Sequence, residues 1–122
     1  MERILVVEDS PAMRAYVRIA LESDGVEVVE AGTGAEALKL LSRGGFSLVL
    51  LDVNMPDLSG LELVSFARRL PSMRDVPLVM VTTEGRETDR QRAINLGASG
   101  YVVKPFSAEA LLDALRPHRR VA

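Results

Sequence analysis

The sequence contains no cysteine, a single histidine and few aromatic residues, 4% of the total. Without cysteine there are no disulfides, thiol nucleophiles or thiolate metal sites, which leaves oxygen donors as the metal chemistry open to the chain. Long apolar runs are missing as well. The first one, Ile4-Leu5-Val6-Val7, is cut off by Glu8, too early for a signal peptide, and no stretch approaches the roughly 20 apolar residues of a membrane span. A cytoplasmic protein that does not insert into membranes is expected. Neither sign of charge dominates: the net charge is -2, which argues against a broad nucleic-acid footprint and for no direct nucleic-acid partner. With 122 residues, 48% hydrophobic and 26% charged, the chain reads as one ordinary domain, 1–122, that buries about two thirds of its unfolded surface.

What is present is a regular alternation. Five strand-like runs, Arg3-Val7, Val26-Glu30, Leu48-Leu51, Leu78-Val81 and Tyr101-Val103, alternate with five helix-like segments, the pattern of an α/β fold with a parallel sheet covered on both faces. Four runs are rich in β-branched or aromatic residues and the third is mainly leucine. Only Val26-Glu30 carries charges within it, so it is expected nearest an edge. The helices are marked by their caps: Ser10-Pro11, the capping boxes Thr33-x-x-Glu36 and Ser59-x-x-Glu62, and Ser107. Their ends are expected near Asp24-Gly25, Gly44-Gly45, Leu70-Pro71 and Leu96-Gly97, with Pro117 breaking the fifth. Arg116-Pro117-His118-Arg119-Arg120 then reads as a solvated basic tail, with His118 exposed. Met13, Met55, Met73 and Met80 read as core or loop filling.

The ends of the strands carry the chemistry. Phe46-Ser47-Leu48-Val49-Leu50-Leu51 stops at Asp52, just before the turn Asn54-Met55-Pro56-Asp57, and Ile4-Val7 stops at Glu8 and Asp9. Open α/β sheets bind ligands at the carboxyl edge of their strands. If the two strands are parallel neighbours, three carboxylates meet in one crevice, where each ionised group makes the next harder to ionise unless a cation is bound. Mg2+, which prefers oxygen ligands and often joins one or two carboxylates to a phosphate, suits such a site. The backbone carbonyl of Asn54 adds a further oxygen. Alone, Glu8 or Asp9 would be an ordinary helix-capping acid; the three together are a metal-site candidate.

Two other runs end at the same edge, Val79-Met80-Val81-Thr82-Thr83 in hydroxyls and Tyr101-Val102-Val103-Lys104-Pro105 in a lysine. A hydroxyl, nearby amides and an ammonium set opposite a metal form a receptacle for an anionic phosphoryl group. Asp52 is then a nucleophile able to form an acyl phosphate.

Glu8-Asp9-Ser10, Asp52-x-x-Met55-Pro56-x-x-x-Gly60, Thr82 and Lys104-Pro105-Phe106 resemble the receiver domain of two-component response regulators, from Arg3 to about Leu115. The resemblance implies a flavodoxin-like, doubly wound (βα)5 fold with a five-stranded parallel sheet in the order 2-1-3-4-5. It implies a phosphoacceptor protein rather than an enzyme, one that promotes its own phosphorylation and slow dephosphorylation. By position, Asp52 resembles the phospho-acceptor, Asp9, Asp52 and the Asn54 carbonyl the Mg2+ ligands, and Glu8 the acid acting through bound water. Thr82 and Lys104 resemble the phosphoryl-contacting pair, and Tyr101 the aromatic that swings inward with the threonine. The Lys104-Pro105 bond is expected to be cis. The implied partners are a sensor histidine kinase or histidine phosphotransfer protein upstream and a protein target downstream.

Ala98 to Phe106, with Asn54 and Glu84, looks most like the CheY-like, chemotaxis-type members of the family, in which the positions of Asn54 and Glu84 tune hydrolysis of the acyl phosphate. Two departures stand out: Glu8 replaces the commoner aspartate, and Pro117 shortens a helix of the output face. That face is expected on the fourth helix, fifth strand and fifth helix, locally basic through Arg86, Arg90 and Arg92. His118 is not expected to be the phosphate donor.

Other readings compete. Gly32-Thr33-Gly34-Ala35-Glu36-Ala37, with Asp52 further on, mimics a dinucleotide fingerprint, but follows the second strand instead of the first. A small Mg2+ phosphohydrolase using Asp52 would need a general acid and a cap, and no insertion is long enough for a cap. A complete single-domain protein and the receiver part of a larger regulator, with a DNA-binding or enzymatic output, both fit the sequence.

Overall fold

Runs that are apolar on both sides make parallel strands, because crossover helices cover each face of the sheet they form. The computed structural model describes residues 2–83 and 87–119. In it the five runs become β1 (Arg3–Val7), β2 (Glu27–Ala31), β3 (Leu48–Asp52), β4 (Leu78–Thr82) and β5 (Gly100–Val103). They alternate with α1 (Pro11–Ser23), α2 (Gly34–Arg43), α3 (Gly60–Ala67), α4 (Glu87–Leu96) and α5 (Ala108–Leu115). Every strand pairing is parallel and the order is β2-β1-β3-β4-β5. This is the flavodoxin-like, doubly wound α/β fold, with the charged β2 at an edge. Among the described residues no helix is long and apolar enough to cross a membrane.

Because side chains alternate along a strand, the sheet has two separate apolar layers. Ile4, Val6, Leu48, Leu50, Val79, Val81 and Val102 pack with Val17 and Leu21 of α1 and Leu111 and Leu115 of α5. Leu5, Val7, Val49, Leu51, Leu78 and Met80 pack with Leu41 of α2, Leu63 and Val64 of α3 and Ala93 of α4. Carried to the strand ends, this alternation puts Glu8 in phase with Val6, Asp52 with Leu50 and Lys104 with Val102, all toward α1 and α5. Thr82 is in phase with Met80, and Tyr101 packs against the other layer.

The four predicted caps are occupied: Ser10, Thr33, Ser59 and Ser107 accept the N–H groups of Met13, Glu36, Glu62 and Ala110 at 3.0–3.3 Å, each worth about 1 kcal/mol. Some boundaries differ from expectation. β2 runs one residue later, because Val26 is spent on the turn out of α1, its N–H donating to Leu21. α3 ends at Ala67 instead of near Leu70, since Leu70 precedes Pro71 and takes an extended conformation (φ -82°, ψ 126°). The carboxyl-terminal segment is a correction. Arg119 does not trail in solvent; its side chain, 8% exposed, pairs with Glu2 and Asp24. His118 is half-buried, its ring against Gly100. An ion pair to residues more than 90 positions away has no signature in the local sequence.

Candidate functional site

β1 and β3 are hydrogen-bonded neighbours with Val7 opposite Leu51, so the residues that follow them emerge side by side. The Glu8 N–H continues the ladder to the Ala31 carbonyl at 3.0 Å, and its carbonyl accepts Arg14 Nη1 at 3.0 Å. Glu8 and Asp52 are buried, 4% and 5% exposed, while Asp9 is exposed. Each of the three offers an oxygen within 4.8 Å of the others'. Lys104 reaches across from the end of β5: its Nζ donates to Glu8 Oε1 at 2.9 Å and to Asp52 Oδ2 at 3.0 Å. The other Asp52 oxygen accepts the Asn54 N–H at 3.1 Å. The Lys104 N–H donates to the Thr82 carbonyl at 2.7 Å, and the Lys104–Pro105 bond is cis.

The electrostatics follow from this packing. Burial pushes the Glu8 carboxyl above its ordinary value; the Ser10 amide and Lys104 pull it back only in part, and Asp9 and Asp52 add to the rise. Burial alone would lower the Lys104 ammonium, but its bonds to Glu8 and Asp52 outweigh that and hold it above the usual lysine value. Three acids facing one lysine leave the pocket net negative and rich in hard oxygen donors, open on the Asp9 side. That donor set fits Mg2+.

The turn after β3 is closely built. A Cβ on Gly60 would lie 2.4 Å from the Asp52 carbonyl oxygen and 2.8 Å from Val53 Cα, so only glycine allows α3 to begin against the strand end. Met55 anchors the turn in the core. Thr82 and Tyr101 meet at a second place, a cavity of about 140 Å3 that also takes in Asn54, Met80 and Arg90. The Arg90 guanidinium lies over the Tyr101 ring, 4.2 Å from its centroid. Of the arginines expected to make the output face basic, Arg92 is exposed, Arg90 is turned onto Tyr101, and Arg86 lies outside the described residues. Glu84 lies outside them too.

Two participants escape a sequence reading. Arg14 carries no signal beyond being a helical arginine. Asp57 reads only as a turn residue, yet its carboxylate accepts the N–H groups of Gly34 at 3.0 Å and Ala35 at 3.2 Å. The amides that a dinucleotide fingerprint would offer to a pyrophosphate are therefore engaged by Asp57, and they follow an edge strand; the Gly32-Thr33-Gly34 string is the start of α2 and not a nucleotide site.

Fold and site together define a class: a flavodoxin-like α/β domain whose carboxylate cluster, at the carboxyl edge of the sheet, is answered by one lysine. A family model for the response regulator receiver domain matches residues 4–116, and the chain belongs to that family. It is 40% identical over 114 residues to the phosphate regulon transcriptional regulatory protein PhoB of Klebsiella pneumoniae, covering 93% of this chain and 50% of that protein. PhoB of Escherichia coli strain K12 matches at 39% with the same coverage. The chain thus spans about half the length of the curated relatives it matches. Among solved structures, the chemotaxis response regulator CheY4 of Vibrio cholerae superposes with a TM-score of 0.93 at 36% identity, covering 97% of this chain and 98% of that one. A CheY-like receiver domain protein from Methanospirillum hungatei gives 0.88 at 32%, covering 96% and 92%.

Proposed function

We propose that this domain is a phosphorylation-activated switch in which Asp52 accepts a phosphoryl group from the phosphohistidine of a sensor kinase or phosphotransfer protein. The observation that carries the reading is Lys104 Nζ bridging buried Glu8 and Asp52 at 2.9 and 3.0 Å. An ionised Asp52 oxygen attacks phosphorus in line as the nitrogen–phosphorus bond breaks; the acyl phosphate forms and the donor imidazole retains the bonding pair. Lys104 is placed to follow the charge from the carboxylate to the transferred oxygens. Asp9, Asp52 and the Asn54 carbonyl, with Glu8 acting through water, would hold Mg2+, which when bound neutralises the phosphoryl oxygens. Donor docking is supported by α1, which starts beside the pocket and exposes Ala12, Ala15, Tyr16 and Ile19 on one stripe, Ile19 at 68%.

Output runs through Thr82 and Tyr101 to the face made by α4, β5 and α5, where a protein target that prefers the phosphorylated state docks. The phosphoryl group brings about two negative charges and reaches only its neighbours, so transmission needs a nearby element with two arrangements. The cavity shared by Thr82, Tyr101 and Arg90 supports that role. A second reading, in which residues 1–122 form the receiver of a larger regulator instead of a single-domain switch, is favoured by relatives of about twice its length. The test of the chemistry is incubation with acetyl phosphate and Mg2+: intact mass should rise by one phosphoryl group, and Asp52→Ala should abolish the gain. Equal modification of that variant would refute the assignment.

A further inference from the structure

β3 fixes Asp52 and Val53, whose N–H donates to the Val81 carbonyl at 3.0 Å, and α3 begins at Gly60. Between them, residues 54–59 form no regular element, yet Asn54 among them must present its carbonyl to the pocket. One polar side chain of this turn bonds far outside it. Asp57 Oδ1 and Oδ2 accept the N–H groups of Gly34 and Ala35, 23 and 22 positions away. The approach is close: a Cβ on Gly34 would stand 2.6 Å from Leu58 Cβ and 3.2 Å from Asp57 Oδ1. The first N–H groups of a helix lack partners within it. α2 already has a cap of its own, Thr33, which accepts the Glu36 N–H, so Asp57 adds a second attachment that joins the turn to the helix.

We propose that Asp57 is a positioning residue for the pocket: by strapping the 54–59 turn to the first turn of α2, it holds the Asn54 carbonyl beside Asp52. The inference rests on the Mg2+ and phosphoacceptor reading above. The carboxylate is well suited, since it meets two adjacent amides at the positive end of a helix, and these bonds, the Gly34 amide first, hold it below the usual aspartate value. Coupling runs both ways, so a cation that orders the turn also shields the Gly34 and Ala35 amides from exchange.

The test compares Asp57→Ala, Asp57→Asn and Thr33→Ala, the last removing α2's own cap without touching the turn. In calorimetric titrations with Mg2+, Asp57→Ala should weaken binding roughly tenfold, the lower end for partners that orient metal ligands. Asp57→Asn, which keeps one acceptor but no charge, should fall between it and the parent, and Thr33→Ala should bind normally. In metal-free protein followed by NMR, exchange at Asn54 and Gly60 should quicken in Asp57→Ala and not in Thr33→Ala. Equal effects of Asp57→Ala and Thr33→Ala would reduce Asp57 to a helix cap, and equal effects of Asp57→Ala and Asp57→Asn would reduce it to a charge; either overturns the proposal. If the parent protein binds no Mg2+, the metal reading fails, and the exchange comparison alone decides for or against the strap.

Discussion

Replacing Asp52 by asparagine should make the metal-free protein more stable. At an effective dielectric of about 20, the Lys104 ammonium 3.0 Å from Asp52 attracts it by roughly 5–6 kcal/mol, while buried Glu8, within 4.8 Å, repels it by about 3.5 kcal/mol and Asp9, exposed and screened by water, by less. Attraction and repulsion therefore nearly cancel, and the cost of burying a carboxylate that is 5% exposed turns the balance against the charge. An amide keeps the shape and the acceptor used by the Asn54 N–H at 3.1 Å. Asp52→Asn is therefore expected to gain about 1–2 kcal/mol, raising Tm by roughly 4–8 °C. Calorimetric melts in chelator at low salt and pH 7 measure this directly. Added Mg2+ should then narrow the gap, because ten times its Kd stabilises the parent by about 1.4 kcal/mol and the variant hardly at all. If the variant melts below the parent without metal, or gains as much from Mg2+, the picture of a pocket strained by like charge is wrong.

Lys104→Ala should act in the opposite sense: it strands two buried acids without their cation, and thermal melts should show a loss of about 2–3 kcal/mol, below the range for a fully buried pair because the lysine is 18% exposed. A normal downstream response from the phosphorylated variant would count against its role. For Glu8, whose folded pKa lies above 4.5, the stability of the protonated form is complete below pH 4.5 and is lost as pH rises through the raised value. The advantage of Glu8→Gln over the parent should accordingly open as pH climbs from 4.5; a gap constant from pH 4 to 8 would contradict this. With beryllofluoride and Mg2+, amide exchange should change at Tyr101 and in α4, and changes confined to α2 and α3 would rule out the proposed output face.

Much of this architecture was legible because it is written in local signals. The runs Ile4-Val7 and Leu48-Leu51 are apolar at every position, which only a strand covered on both sides requires. Ser10, Thr33, Ser59 and Ser107 announce their helices because a cap is satisfied within three residues. The acids Glu8, Asp9 and Asp52 were legible as strand-ending residues for the same reason. Boundaries slipped where a neighbour intervened, as Pro71 did in shortening α3. The tail was misread because Arg119 answers to Glu2 and Asp24, partners in a different part of the chain.

The sequence by itself determined the alternation of strands and helices, the capping of the helices, and the concentration of acids and of Lys104 at strand ends, since each depends on residues a few positions apart. Tertiary structure alone decided which of these meet. Lys104 lies 96 positions from Glu8 and 52 from Asp52, and it bridges them because β3 lies between β1 and β4 and all three residues share one phase of the pleat. The opposite phase sets Thr82 and Tyr101 toward the other layer, beside Arg90. Asp57 finds the start of α2 only once β1 has brought β2 and β3 to its two sides. Periodicity is a property of one segment, whereas the order and register of strands, on which every contact in the pocket depends, come from burying all five segments at once.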